Sequence, residues 1–354
     1  MKKLAIIFVL FLALGRGVFA EEIEIDGQAF YNSTAQEIVE GRLELNPVSI
    51  INLVKNSLFG EIENVKSMLK TIVLIGVSAG LLKILNEAFG TGEVGEVAFF
   101  ACFAIMSGVC VSVFSEAVGY GTEVVHNLCD FITKFEPVFM GLLVTGGAIT
   151  QASAFQPVLA ASVYILGVLV DKCILPIIYF SAILGIVNNI GARVEIGTLN
   201  KLLTSVSKWL LTGVLTLFSA ILTLYGFGTS ALNAVAAKGL KFAVGSLVPV
   251  VGGLLSDTVE TVISGTNLLK NAVGTAGMIT VISMVFVPAL KIWIMMMLLK
   301  VTAALCEPFS DKRITGLLLS VSDSVSAMFQ LVITSGVLFI ISIGIILIST
   351  GVSL

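Results

Sequence analysis

The sequence predicts an all-α protein, a polytopic transmembrane helical bundle with about eight spans. Two observations predict this class: hydrophobic residues make up 57% of the 354 residues, and charged residues make up only 12%. The mean hydropathy is accordingly high, at +1.06. Soluble domains carry about 25% charged residues, so this chain has too little polar surface to cover a globule of its size. A lipid bilayer supplies the apolar solvent that such a surface requires.

Charge and titratable residues argue against several classes of function. The net charge is −3 and no basic stripe is found, which argues against nucleic-acid binding. His126 is the only histidine, so neither a histidine-rich metal site nor a serine–histidine–aspartate triad is expected. The five cysteines form no C-x-x-C pair and mostly lie in or beside apolar runs, where cysteine acts as a small hydrophobe. The sequence therefore predicts no catalysis and no cofactor.

The N-terminus is typical of an exported protein. Residues 1–20 have two lysines before a short apolar run and small residues at the end, which predicts a signal peptide; a retained N-terminal anchor is the alternative. Residues 21–66 would then form a short extracytoplasmic segment. Apolar residues recur at helical spacing from Ile50 to Ile62, which predicts a helical segment too small for a large core. The polytopic membrane domain covers residues 67–354.

The spans are predicted from stretches without charge, because a span requires about 20 mainly apolar residues. Cytoplasmic loops hold an excess of lysine and arginine. This rule predicts that loops 193–208 and 291–323 lie inside and that loop 116–136 lies outside. The spans that satisfy all three loops are 68–89, 97–115, 137–150, 156–170, 173–192, 209–227, 271–290 and 329–350.

The region 228–270 fits this topology poorly, because it places several lysines on the outer side. Pro249, Gly252 and Gly253 interrupt its apolar run. Such an interruption favours an amphipathic or re-entrant element over a full span.

Ionisable residues inside or beside apolar runs are candidate functional residues, because a charge is costly within a bilayer. Asp257 and Glu260 lie one helical turn apart and Lys270 follows, which indicates either a solvated amphipathic helix or a face towards a partner or cavity. Asp171 and Lys172 separate two apolar runs. They indicate either a loop boundary or a buried pair that faces the interior of the bundle.

Two further motifs mark breaks between helices. Glu307 and Pro308 end a long apolar stretch, and proline predicts a helix stop there, within a cytoplasmic loop. Residues 90–95 match G-x-G-x-x-G, but no strand precedes them, so an interhelical turn is the better interpretation. No Walker A motif is present, so ATP-driven work would need a separate ATPase.

Three stretches resemble the stage III sporulation protein AE family of endospore-forming bacteria. They are 238–274 (KGLKFAVGSLVPVVGGLLSDTVETVISGTNLLKNAVG), 300–314 (KVTAALCEPFSDKRI) and 201–226, where Lys208 and Trp209 lead into LLTGVLTLFSAILTLYG. The layout of signal peptide, short exported segment and polytopic domain is similar as well. The resemblance covers most of the chain past residue 60.

This resemblance implies a non-enzymatic membrane subunit of a secretion-like channel complex between mother cell and forespore. It implies a multi-pass location in the mother-cell membrane that surrounds the forespore. The implied partners, besides the lipid bilayer, are ring-forming membrane proteins, a secretion-type ATPase and a forespore-side membrane protein. The family contributes no catalytic residues to carry over.

Two other functions remain open at the level of the sequence. The first is an independent secondary transporter or permease, because the Pro/Gly-interrupted run in 242–256 resembles the broken segments of transporters. The second is a structural assembly platform that anchors exported ring proteins and conducts nothing.

Overall fold

A computed structural model describes residues 93–145, 148–190, 197–247, 252–308 and 311–349. These residues form long helices: α1 (Glu93–Thr145), α2 (Ile149–Leu169), a π-helical segment (Val170–Ile174), α3 (Leu175–Ile190), α4 (Gly197–Leu247), α5 (Gly252–Cys306) and α6 (Lys312–Ser349). The predicted signal peptide, the segment 21–66, the predicted span 68–89 and Pro249 lie outside the described residues.

The prediction of an all-α membrane bundle is confirmed. Five helical segments in the described ranges are long and apolar enough to cross a membrane: Phe103–Thr145, Ala152–Ile190, Gly197–Leu224, Leu268–Cys306 and Lys312–Ile348. Four of them have 37 to 43 residues, which corresponds to about 55–65 Å of helix. The hydrocarbon core of a bilayer is only about 30 Å thick, so these helices extend well beyond it.

Seven of the predicted spans fall on these five segments, and the predicted loops between some of them are wrong. The outside loop 116–136 lies within α1, which is one helix of 53 residues. Much of the predicted loop 193–208 is the beginning of α4, and residues 291–306 belong to α5. The physical reason is that a helix can carry charges on one face without being interrupted. In α1, Glu123 and Asp130 are both on the exposed side.

Helix α6 is the centre of the bundle. It packs against α5, α4, α1 and α3, and it has no charged residue after Asp323. Half of its apolar segment is buried, against 22% of the segment in α4. Glycines allow close approach along its length: a Cβ atom added to Gly336 would lie 2.7 Å from a methyl group of Val285 on α5. Small residues serve this purpose in membrane bundles, where lipid provides no hydrophobic drive for helix association.

A polar seam joins α3, α4 and α6 inside the bundle. The buried hydroxyl of Ser181 donates to Asn200 Oδ1 at 2.5 Å and lies 3.0 Å from Thr204 Oγ1. About two helical turns further along α3, Asn189 Nδ2 lies within hydrogen-bonding distance of the Gly185 carbonyl, at 2.6 Å, and of Ser320 Oγ, at 3.3 Å. Hydrogen bonds of this kind hold membrane helices together and fix their register.

Gly185 marks a close approach of α3 to α6 within this seam, and it provides a test of the packing. In Gly185→Ala the new methyl carbon would lie 2.7 Å from Ser320 Cβ. Both carbons are attached directly to a helix backbone, so the helices must separate, and we expect a loss of about 1–3 kcal/mol in the free energy of unfolding. Thermal denaturation of the detergent-solubilised protein measures this loss.

Gly213 on α4 provides the matched control. A Cβ atom added there meets no atom within 4 Å. Gly213→Ala should therefore leave the stability unchanged or raise it by about 0.5–1 kcal/mol, because alanine is the better helix former. If both variants denature at the same temperature, the close contact of α3 with α6 is wrong.

Candidate functional site

The π-helical segment Val170–Ile174 interrupts the otherwise α-helical run from Ile149 to Ile190. The amide of Leu175 donates to the carbonyl of Val170, five residues earlier, so the backbone continues without a loop. Single π-helical turns inside α-helices are frequent at functional sites. This one carries two of the charged residues that the sequence singles out.

Asp171 and Lys172 both lie in the π-helical segment with exposed side chains. Both interpretations drawn from the sequence are therefore wrong: the residues form neither a loop boundary nor a buried pair that faces the interior. The reason is that the wider π-helical turn keeps the helix intact while Asp171 and Lys172 remain on the surface of the bundle.

Asp171 contacts the only histidine of the chain. His126 Nε2 on α1 lies 3.3 Å from Asp171 Oδ1, and the two side chains are 52% and 44% exposed. The contact is a hydrogen bond to the carboxylate if Nε2 carries the proton of a neutral imidazole, and an ion pair if the imidazole is protonated. At this exposure it contributes no more than about 1 kcal/mol. The contact is therefore of interest because of its position. It joins two helices that qualify as membrane spans.

These residues line an open groove between α1 and the α2–α3 run, with a volume of about 510 Å³. Across the groove, the thiol of Cys129 approaches the carbonyl of Val163 at 3.9 Å. The lining combines groups of both charges with apolar side chains: His126, Cys129, Asp130, Val163, Tyr164, Gly167, Val168, Asp171 and Lys172. Among the described residues, no group of three histidine, cysteine, aspartate or glutamate side chains is arranged to hold a metal ion.

A second polar group lies deeper, between α1 and α5. The ammonium group of Lys291 lies 4.7 Å from the centre of the Tyr120 ring, and the Tyr120 hydroxyl donates to Glu116 Oε1 at 3.3 Å. A cation over an aromatic face is stabilised by the ring quadrupole, more strongly where water is excluded. Sequence reasoning missed this group because it placed Glu116 and Lys291 in loops. The spacing of Glu116 and Tyr120, one helical turn apart, was the available signal.

The remaining candidates are distributed over α5 and do not form one site. Gly252 and Gly253 begin the helix, and Asp257 and Glu260 follow on its backbone. Lys270 is 2% exposed, but it lies 13 residues after Asp257, about 20 Å along the helix axis. The described parts of 228–270 are helical and continuous with α4 and α5.

The turn between α5 and α6 lies where the sequence predicts a helix stop. Helix α5 ends at Cys306, and Glu307 and Pro308 form an exposed turn. Asp311 then caps α6, since its carboxylate accepts the amide of Arg313 at 2.9 Å. The polar residues of this connection thus have a structural use in ending one helix and beginning the next.

The contact between His126 and Asp171 can be tested by a double-mutant cycle of His126→Gln and Asp171→Asn. We expect a coupling free energy of about 0.2–1 kcal/mol in unfolding measurements on the solubilised protein, as for other exposed pairs. The cycle of His126→Gln with Glu307→Gln is the control, because Glu307 is an exposed acid in the turn after α5, at the other end of that helix from the groove. A coupling no larger than in the control cycle would show that α1 and the π-helical segment do not meet in this way.

Comparison with known proteins assigns the chain to a family. The family model described as stage III sporulation protein AE matches residues 31–350, a range that contains every helix described above. The chain is 27% identical over 311 residues to stage III sporulation protein AE of Bacillus subtilis (strain 168), which covers 88% of this chain and 78% of that protein. No solved structure matches the chain. The chain therefore belongs to the stage III sporulation protein AE family.

Proposed function

We propose that this protein is a non-enzymatic membrane subunit of a secretion-like channel complex that connects the mother cell with the forespore. The observation that carries the proposal is the family match over residues 31–350, which takes in the whole described bundle and not an isolated motif. A sporulation protein whose described residues lie mostly in membrane-length helices has its function in the membrane or at its surface.

The use of polar groups in the bundle supports a role without chemistry. The hydroxyl of Ser181 and the amides of Asn189 and Asn200 are engaged between helices. The Lys291 ammonium lies over an aromatic ring. Groups held in this way fix helix positions, and fixed helices are what a conduit or an anchoring subunit requires.

The location and the partners belong to the same proposal. The protein resides in the mother-cell membrane around the forespore, with the signal peptide 1–20 removed and residues 21–66 exported. Its partners are ring-forming membrane proteins, a secretion-type ATPase and a membrane protein on the forespore side. Lipid-exposed faces such as that of Leu217, which is 66% exposed, leave ample apolar surface for contacts within the membrane.

An independent secondary transporter is a second candidate. The observation that favours it is the His126–Asp171 contact, a pair of titratable groups between two membrane-length helices. Such groups mark proton or substrate paths in many transporters. Solute uptake by the purified protein in liposomes without any partner would favour this candidate over a subunit of a complex.

Deletion of the gene in its spore-forming parent tests the proposed function. We expect forespore development to stop and the yield of heat-resistant spores to fall by orders of magnitude, because the forespore depends on the conduit. A copy expressed only in the mother cell should restore the yield, whereas a copy expressed only in the forespore should not. Normal maturation of the deletion strain, or rescue from the forespore alone, contradicts the proposal.

A further inference from the structure

The exposed side of α1 carries a row of polar residues at helical spacing. We call this row the polar stripe; its members are Glu123, His126, Asn127, Asp130 and Lys134. All five side chains are exposed, and the row extends about 16 Å along the helix. The polar stripe lies wholly within Phe103–Thr145, a segment long and apolar enough to cross a membrane.

The opposite side of α1 at the same level is strongly apolar. Phe131, Phe135 and Phe139 are buried, and their rings stack at centroid distances of 5.6 and 5.1 Å. Helix α1 is therefore amphipathic here, with aromatic rings towards the bundle and the polar stripe away from it.

The polar character continues across the groove onto the neighbouring helices. Asp171 and Lys172 of the π-helical segment face the same groove as His126 and Asp130. At the other end, the exposed Gln156 of α2 is hydrogen-bonded to Glu136 of α1. The polar surface is thus shared by two helices and includes both signs of charge.

Contacts with α5 and α6 place the polar stripe at the most apolar level of the bundle. A Cβ atom added to Gly277 of α5 would lie 2.8 Å from the Phe135 ring, and one added to Gly121 would contact the Met328 side chain of α6. The stripe therefore lies beside the charge-free stretches 271–290 and 324–349.

These charge-free stretches also present apolar side chains outwards, away from their contacts with α1. Ile282 on α5 is 49% exposed and Val337 on α6 is 36% exposed. A surface of this composition is suited to lipid tails. At one and the same level, the exposed faces of α5 and α6 are thus apolar, whereas the exposed face of α1 carries charges that lipid tails cannot solvate.

We propose that the polar stripe faces a water-filled path within the membrane, while the outer faces of α5 and α6 contact lipid. Water solvates both signs of charge, which agrees with a lining that mixes Glu123, Asp130 and Asp171 with Lys134 and Lys172. A path with this balanced lining admits small polar solutes without strong selection by charge. The inference rests on the proposed function, since it identifies one side of the bundle as a wall of the proposed conduit.

Thiol labelling in intact membranes tests the path. Single cysteines replace Asn127, Asp130, Ile282 or Val337 after the five native cysteines are changed to serine. A membrane-impermeant maleimide should label positions 127 and 130 about tenfold faster than positions 282 and 337, because the reagent reaches only hydrated thiols. Equal rates at the two pairs of positions would overturn the proposal. The proposal would also be overturned if the thiols at positions 127 and 130 stay unlabelled and instead cross-link to another protein chain.

A second measurement does not depend on the cysteine-free background. Asn127→Lys in the native chain should accumulate in the membrane like the unsubstituted protein, because water solvates the new charge. Ile282→Lys should accumulate about tenfold less, because its charge would enter lipid. Equal accumulation of the two variants, or loss of Asn127→Lys alone, would overturn the proposal.

The two proposals fail in different ways. If the deletion strain forms normal spores while positions 127 and 130 are labelled, the proposed role in the sporulation channel is wrong and the proposed water-filled path remains. If the deletion strain is arrested and those positions react no faster than 282 and 337, the role in the channel complex remains and the path is wrong.

Discussion

The structure depends on one constraint: each charged group on these apolar helices needs a partner or water. A charge in the centre of a bilayer costs about 2.5–3.5 kcal/mol on insertion scales, so several uncompensated charges would prevent insertion. The described helices meet the constraint in separate ways. Lys291 lies over the Tyr120 ring. Asp130 of α1 lines one open groove together with Asp171 and Lys172 of the π-helical segment. The position of each group determines which side of its helix can face lipid.

The same constraint explains why α6 lies in the middle. It is free of charge after Asp323, so it can be surrounded by other helices without burying an unsolvated group. Its neighbours then approach through glycines, as at Gly336 beside Val285 and at Gly274 beside Leu347. Helix α1 carries charges along its middle and cannot occupy such a place. It packs through its phenylalanine side and leaves its polar side at the surface.

The sequence predicted the helical bundle but not the connection of its parts. Charge-free stretches such as 173–192 and 329–350 identify helices because their composition is uniform around the helix. The prediction of a loop at 116–136 was wrong because the charged residues of α1 lie on one face of the helix. Charges counted along the sequence do not show which face of a helix carries them. The groove could not be predicted: His126 and Asp171 are 45 residues apart and meet only through the antiparallel packing of α1 on α2 and the π-helical segment. The extra residue of that segment has no local signature that the sequence analysis could use.

The length of the helices restricts where the bilayer can lie along the bundle. Segments of 37 to 43 residues are nearly twice as long as the hydrocarbon layer is thick, so lipid tails can cover only one level of the bundle. The level of Ile282 and Val337 is free of charge on its α5 and α6 side. The level of the polar seam has Lys300 and Lys312 at the nearby ends of α5 and α6, and lipid tails would not solvate their charges. The cost of charge therefore favours the first level for the hydrocarbon layer, and that is the level at which the polar stripe requires water.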